Sequence, residues 1–207
     1  GVIVDVRPTN SGVLFQSSTE HALDQVDAWV TGGYKWVKRT ESFDYLQAFI
    51  DAGKEVGLDV YASINTMIGG CMCPYGLGSD GILYDDPSKK SWATVVNTAD
   101  GLVNCLDLED SGAKFLNPAN DEVVDYLLSL LADLAAYDVK GIILDRCRYD
   151  DYELQSDFSD ISREKFEDYI GAPVENWPDD IFEPGADELS TPVTEKKKKW
   201  MEFRAKN

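Results

Sequence analysis

The segment from Asn117 to Asp151 constrains the fold of this chain more than any other. A helix is expected to begin near the pair Asn117-Pro118 or at Asn120, and apolar residues then recur at helical spacing from Val123 to Leu134. Asp121 and Glu122 lie in the first turn, where the helix dipole favours negative charge. A short turn leads into an aliphatic strand, Gly141 to Asp145, that ends abruptly in charge. A helix that feeds a buried strand is the repeating unit of parallel α/β folds.

Two more segments predict buried parallel strands, Val2 to Val6 and Leu58 to Ile64, because both are short and rich in aliphatic residues. A helix from Ser42 to Val56, closed by Gly57, leads into the second of them. The alternation predicts βα units with their strands side by side in one parallel sheet. Long insertions follow the strands, whereas the helix-to-strand turns are short, which is the loop pattern of a TIM barrel.

The insertions carry further elements. The first, Thr66 to Phe115, is Gly-rich at its start and contains a predicted hairpin formed by Ser91 to Asn97 and Gly101 to Asp107. After Asp145 the pattern predicts a short helix from Ser162 to Ile170 and then a Pro-rich and acidic loop to Ser190. A last helix is expected to start at Thr191, with Pro192 at its first position.

Composition excludes several classes of function. The 207 residues have a formal net charge of -19, which argues against nucleic-acid binding because phosphate contacts need clustered cations. No apolar run approaches the ~20 residues that a membrane-spanning helix needs. The four cysteines include no CxxC pair and the chain has one histidine, so no metal or other cofactor is predicted, although a disulfide stays open. The oligomeric state is not determined by the sequence.

The two ends of the sequence suggest a segment of a larger protein. The chain opens directly as a strand, without an initiator Met, and it closes on a helix without a terminating Gly or Pro. A closed TIM barrel takes eight strands and about 250 residues, whereas three core strands are readable here. We therefore expect residues 1–207 to form a single partial barrel domain, truncated at both ends and covering about the second to fourth strands.

The alternation of side chains along each strand predicts a site. Odd-numbered residues of the three strands share one side, which turns polar toward the carboxyl ends. This parity brings Asp5, Arg7, Asn65 and Asp145 around one mouth, where parallel α/β folds bind their ligands. Asp145 is the strongest candidate, because a carboxylate that ends a buried strand requires partners or a chemical role. An alternative for Asp5 and Arg7 is a structural ion pair.

Residues just after the third strand extend this candidate site. Arg146, Arg148 and Tyr149 are predicted to lie on its rim, although the two arginines could instead neutralise Asp150 and Asp151. Aromatic rings suit stacking on sugars, but core packing is the better interpretation for Trp92, Tyr149, Tyr152 and Trp177 taken singly. The acidic stretch from Asp150 to Glu188 lacks the spacing of a calcium loop, and a solvated loop is favoured there.

Several blocks of the sequence resemble the bacterial glycosyl-hydrolase-like family ten. They are VDVRP (Val4 to Pro8), the segment from Phe43 to Asn65, the segment from Lys114 to Asp151, and KKWMEFR (Lys198 to Arg204). The resemblance implies an amylase-like TIM barrel in a secreted or envelope-anchored bacterial protein, located in the periplasm or at the cell surface.

The resemblance also implies a function: a glycoside hydrolase that acts on a bacterial or dietary polysaccharide, including peptidoglycan-type glycans. Asp145 would then be the catalytic carboxylate, and Asp5, Arg7, Asn65, Arg146, Arg148 and Tyr149 would bind the oligosaccharide substrate. Glycoside hydrolysis needs a second carboxylate, which is expected outside this chain. The alternative is a non-catalytic carbohydrate-binding protein on the same scaffold. A small open α/β domain with a phosphate ligand ranks lower, because no Gly-rich loop joins a strand to a helix.

Overall fold

The computed structural model describes residues 1–9, 11–73, 77–109, 112–183, 186 and 192–206. The strands are β1 (Val2–Arg7), β2 (Gln25–Val30), β3 (Gly33–Lys38), β4 (Val60–Asn65), β5 (Ile68–Cys73), β6 (Gly78–Asp80), β7 (Val95–Thr98), β8 (Gly101–Asn104), β9 (Ala113–Phe115) and β10 (Gly141–Asp145). The α-helices are α1 (Tyr45–Val56), α2 (Ile82–Asp85), α3 (Asp121–Ala135), α4 (Asp160–Ile170) and α5 (Glu195–Arg204). No helix of the described ranges has the length and apolar character to cross a membrane.

A three-stranded parallel sheet in the order β1-β4-β10 organises the fold. It consists of the three strands predicted from the sequence, and β10 has the predicted bounds. The remaining strands form small antiparallel units: the hairpins β2–β3 and β7–β8, and the sheet β6-β5-β9. The prediction of a mixed α/β fold with parallel strands is thus confirmed, whereas the described residues contain no closed barrel.

Helices α1 and α3 cover one face of the parallel sheet. The N-cap of α1 is Asp44, two residues after the predicted Ser42, and Gly57 ends it in the left-handed conformation with φ of 71°. Asn120 caps α3, as the sequence pattern suggested. The core between these helices and the sheet is aliphatic, with Phe15 added; its buried members are Val4, Val6, Val13, Phe15, Leu46, Ile50, Val60, Ala62, Ile64, Leu130 and Leu134.

The opposite face of the sheet, which we call the open face, is reached by solvent. Ile3 is 63% exposed on it, and Asp5 and Asp145 are exposed near the carboxyl ends of its strands. The Tyr61 ring lies beside Gly141, at the amino-terminal end of β10. A Cβ atom added to Gly141 would be 3.3 Å from this ring. Parallel sheets are usually covered on both faces, so this face is the unusual feature of the fold.

A second core lies at the C-terminal end and is mostly aromatic. We call it the aromatic cluster; its buried members are Phe158, Phe166, Val174, Ile181, Phe182, Trp200 and Phe203. Helices α4 and α5 contribute Phe166, Trp200 and Phe203, and connecting segments contribute the rest. Helix α5 begins at Glu195 with Thr194 as its N-cap, so the helix start expected at Thr191 and Pro192 is wrong. Thr191 itself lies outside the described residues.

Candidate functional site

The carboxyl ends of β1, β4 and β10 bring three predicted residues together. Asp5 pairs with Ser63 across β1 and β4, and Asp145 pairs with Asn65 across β10 and β4. Asn65 lies on the strand between the two acids, and its Nδ2 donates to Asp5 Oδ2 at 3.4 Å and to the Arg7 carbonyl at 3.1 Å. We call Asp5, Asn65 and Asp145 the strand-end site.

The two carboxylates of this site have different surroundings. Although Asp5 reaches solvent, the protein atoms around it desolvate the carboxylate and raise its pKa, and the negative charge of Asp145 acts in the same direction. Hydrogen bonds from the Arg7 amide and from Asn65 partly offset this rise. Asp145 is exposed, and its Oδ1 accepts a bond of 2.8 Å from the Arg146 amide. The surroundings thus raise the pKa of Asp5, whereas Asp145 faces water; catalytic acid pairs use unlike surroundings of this kind.

Arg7 does not line the mouth of the site as its parity predicted. The register shifts between Asp5 and Arg7, so Arg7 pairs with Ile64 and points to the same side as that buried residue. Its side chain is fully buried; Nη1 donates to the Asn65 carbonyl at 2.5 Å, and Nη2 donates to the Tyr126 hydroxyl at 3.3 Å. The cause is a β-bulge, which inserts one residue and reverses the alternation. Arg7 thus holds the backbone of Asn65 from the buried side of the sheet.

The contacts of Arg7 continue to the protein surface through polar side chains. The Tyr126 hydroxyl donates to Glu20 Oε2, and Glu20 Oε1 accepts from Nδ1 of His21 at 2.6 Å. Burial would raise the pKa of Glu20, but the hydrogen bonds from His21 and Tyr126 lower it overall. The His21 pKa is raised in turn, chiefly by its hydrogen bond to Glu20. This network fixes the position of the buried guanidinium and, through it, of Asn65.

The turn after β10 carries the remaining predicted residues. Arg146 has a φ of 47°, a left-handed conformation that costs a non-glycine residue energy and is found at functional sites. Its carbonyl accepts from the Met67 amide at 3.4 Å, which joins this turn to the segment after β4. Arg148 forms an ion pair of 2.6 Å with Asp151. For Arg148, this pairing matches the alternative that the arginine neutralises a neighbouring acid.

Arg148 and Tyr149 line a cleft formed in part by the segment that follows β10. The cleft has a volume of about 540 Å³, and an adjoining hollow of about 160 Å³ shares Arg148, Tyr149 and Arg204 with it. The Arg204 guanidinium lies 4.0 Å from the centre of the Tyr149 ring. The hollow is also lined by Met67 and Cys147, from the segments that follow β4 and β10. We call this pair of cavities the Arg148–Tyr149 cleft.

Other candidate residues have structural roles. Trp92 is buried in a third core, which we call the core around α3 and in which the first half of that helix packs against residues of β5, β7 and β9. Trp177 packs on Phe158 at 5.2 Å in the aromatic cluster. Asp150 is buried and accepts hydrogen bonds from the hydroxyls of Thr94 and Ser156. Part of the acidic stretch up to Glu188, including Glu188 itself, lies outside the described residues. Across the ranges that the structure describes, no three His, Cys, Asp or Glu side chains are grouped to hold a metal ion.

The sequence interpretation missed one exposed aromatic pair. Trp29 and Tyr34 face each other across the hairpin β2–β3, with ring centres 5.4 Å apart, and Trp29 is 67% exposed. The hairpin could have been predicted from the sequence, because Gln25–Val30 and Gly33–Lys38 flank a Thr-Gly pair that suits a tight turn. Such rings suit contact with a sugar or a partner surface.

The comparisons with known proteins correct the family assignment. No family model matches the chain. A curated S-layer-related protein of Niallia circulans is 34% identical over 220 aligned residues, which cover 99% of this chain but only 12% of that protein. The expected membership of the glycosyl-hydrolase-like family ten is therefore wrong: short blocks shared with one family did not extend to a family match, and the similarity found is to an S-layer-related protein.

Proposed function

We propose that the chain acts on a polysaccharide at the outside of a bacterial cell and hydrolyses a glycosidic bond at the strand-end site. The observation that carries the proposal is the pair Asp5 and Asp145, two carboxylates at the carboxyl ends of parallel strands with their charges coupled. Glycoside hydrolysis needs two such groups, one that protonates the leaving oxygen and one that attacks or activates water. The extracytoplasmic location is supported by the S-layer-related name of the relative.

The sheet geometry supports a place for this site in a larger barrel. The order β1-β4-β10 follows the order along the chain, as in a (β/α)8 barrel, and helices cover one face. In this proposal the open face is the barrel interior. The site then lies at the carboxyl ends of the strands, where barrel enzymes bind their substrates.

The two acids have separate roles in the proposed reaction. The raised pKa of Asp5 suits a group that donates its proton to the leaving oxygen, whereas exposed Asp145 is the nucleophile or the base for water. This differs from the expectation that the second carboxylate lies outside the chain. Asn65 holds Asp5 in place, and the Arg148–Tyr149 cleft binds sugar units further along the glycan.

Replacing each of the two carboxylates, Asp145 and Asp5, tests their proposed roles in hydrolysis. Asp145→Asn in the full-length protein is expected to lower kcat on a susceptible bacterial cell-wall or plant glycan by about 10²-fold or more, with glycan binding retained. Asp5→Asn should also lower kcat and remove the high-pH limb of the activity profile. The matched control is Asp100→Asn, an exposed acid in the turn between β7 and β8. Release of reducing ends and isothermal titration calorimetry give the two readouts.

A second candidate function is non-catalytic carbohydrate binding, favoured by the Arg148–Tyr149 cleft, which needs no carboxylate pair to hold a sugar. Binding of glycans by the wild-type protein without any release of reducing ends would favour this candidate. Turnover that is unchanged in Asp145→Asn would overturn the hydrolytic role of Asp145.

A further inference from the structure

Two buried thiols lie side by side in the strand that follows β4. Cys71 and Cys73 both belong to β5, and residues two apart in a strand point to the same face. Their Sγ atoms are 2.8 Å apart, which is roughly 0.8 Å more than a sulfur–sulfur bond. We propose that Cys71 and Cys73 are a redox site that closes to a disulfide within β5 when the protein meets an oxidising small-molecule disulfide.

The surrounding sheet holds the two thiols together. Strand β5 is the middle strand of β6-β5-β9, so its backbone is paired on both sides. Cys71 is opposite Asp80 on β6 and Ala113 on β9, and Cys73 is opposite Gly78. Both side chains are buried, with 8% and 7% of their surface exposed. Because neither residue can turn away without breaking the sheet, each thiol has the other as its nearest reaction partner.

The other cysteines are separated from this pair by their environments. Cys105 is buried in the core around α3, and its Sγ donates to the Phe115 carbonyl at 3.9 Å. Cys147 is exposed in the turn after β10. The geometry therefore selects one pairing from those that the cysteine count left open.

The chemistry of closure is ordinary thiol–disulfide exchange. The thiolate of one cysteine of the pair attacks one sulfur of the oxidant, for example oxidised glutathione, and releases one small thiolate, which takes up a proton. The thiolate of the other cysteine then attacks the protein sulfur of this mixed disulfide and releases the second small thiol. Two protein S–H bonds are lost and one S–S bond is formed, while the oxidant is reduced to two thiols. The electrons and protons balance without a metal.

The local environment makes both sulfurs less reactive. Burial raises the pKa of both thiols, and the nearby charges of Asp27 and Asp80 add to the rise. Exchange at this pair is therefore slower than at an exposed cysteine, because the thiolate is the reactive form.

The experiment uses the wild-type protein, folded and in its full length, equilibrated with oxidised glutathione and then denatured and alkylated. Trypsin cleaves after Lys54 and Lys89, and the peptide between them contains Cys71 and Cys73 and no other cysteine. We expect this peptide to be unalkylated and lighter by two hydrogen atoms than its reduced form, and to become doubly alkylated after treatment with a reductant. The Cys105→Ser/Cys147→Ser variant should behave identically.

Single variants test the mixed-disulfide intermediate. Cys71→Ser and Cys73→Ser are each expected to accumulate a glutathione adduct on the cysteine that remains, because no second thiol is left to displace the glutathione. Circular dichroism checks that each variant is folded. The proposal is overturned if the wild-type peptide stays doubly alkylated at every glutathione ratio, or if the bond joins Cys71 or Cys73 to Cys105 or Cys147. The absence of an adduct from both single variants would overturn the exchange at this pair.

Discussion

The parallel sheet with α1 and α3, and the aromatic cluster, complete their cores in different ways. The first uses mostly aliphatic side chains from β1, β4, α1 and α3 and closes one face of the sheet, so that polar strand ends remain on an accessible face. The second encloses rings from α4, α5 and connecting segments on several sides. The candidate site thus belongs to the region whose core covers only one side of the sheet, whereas the aromatic cluster serves stability.

The largest loss of stability is expected when the central ring of the aromatic cluster is removed. Trp200 is fully buried, with its ring centre 4.9 Å from that of Phe158 and 5.1 Å from that of Phe166. Trp200→Ala is expected to lower the free energy of unfolding by about 3–5 kcal/mol, measured by urea denaturation. The control is Met201→Ala, the next residue of α5, which is 42% exposed. Similar losses in both variants would show that the cluster is not a packed core.

A smaller effect is expected under the parallel sheet. Leu130→Ala on α3 removes a fully buried side chain and should cost about 2–4 kcal/mol, because the aliphatic core loses contacts and retains a cavity. Leu128→Ala on the same helix changes a side chain that is 58% exposed and should cost less than about 0.5 kcal/mol. Urea denaturation again measures both. If Leu128→Ala were as costly as Leu130→Ala, the assigned packing face of α3 would be incorrect.

The smallest effect concerns the tie between α3 and the loop before β2. Asp133, in the last turn of α3, accepts hydrogen bonds from the Ser17 hydroxyl at 2.6 Å and from the amides of Ser18 and Thr19 at 3.0 and 3.1 Å. Desolvation would raise the pKa of Asp133, but these bonds lower it to about 2. A lowered folded-state pKa stabilises the fold above the unfolded value of 3.8, and this contribution is lost as pH falls toward 2.

Asp133→Asn is therefore expected to cost about 1 kcal/mol at pH 7, with solvent exposure keeping the effect modest. The difference from the wild type should shrink between pH 4 and pH 2, as the wild-type carboxylate takes up its proton. Thermal denaturation at a series of pH values measures this. Asp125→Asn, an exposed acid on the same helix, should show no such change. A difference that persists at low pH would mean that the carboxylate charge is not responsible.

The parallel sheet could be predicted because its signals are local. Gly141–Asp145 is a short aliphatic run between a capped helix and a charged turn, and the structure gives it the same bounds. The strand-end placement of Asp5, Asn65 and Asp145 followed from parity and parallel pairing. Parity failed at Arg7, because a bulge depends on pairing with β4 and leaves no mark in the sequence of β1 alone.

The rest depended on contacts between distant segments. Strand β5 is a Gly-rich stretch whose pairing with β6 and β9 creates its regularity, so the sequence pattern indicated only an irregular insertion. The rings of the aromatic cluster come from residues 158 to 203 and have no shared periodicity. The proximity of Cys71 and Cys73 follows from strand geometry, yet it was not visible until the segment was known to be a strand.

Strand β10 lies at one edge of the parallel sheet. In the parallel sheet β10 pairs with β4 on one side, and on its other side it pairs with no strand of the described ranges. Its amide and carbonyl groups there form a template that another extended segment can join. The strand that presents Asp145 is thus also the place where the sheet can grow, and whatever segment is added at that border becomes the neighbour of the carboxylate.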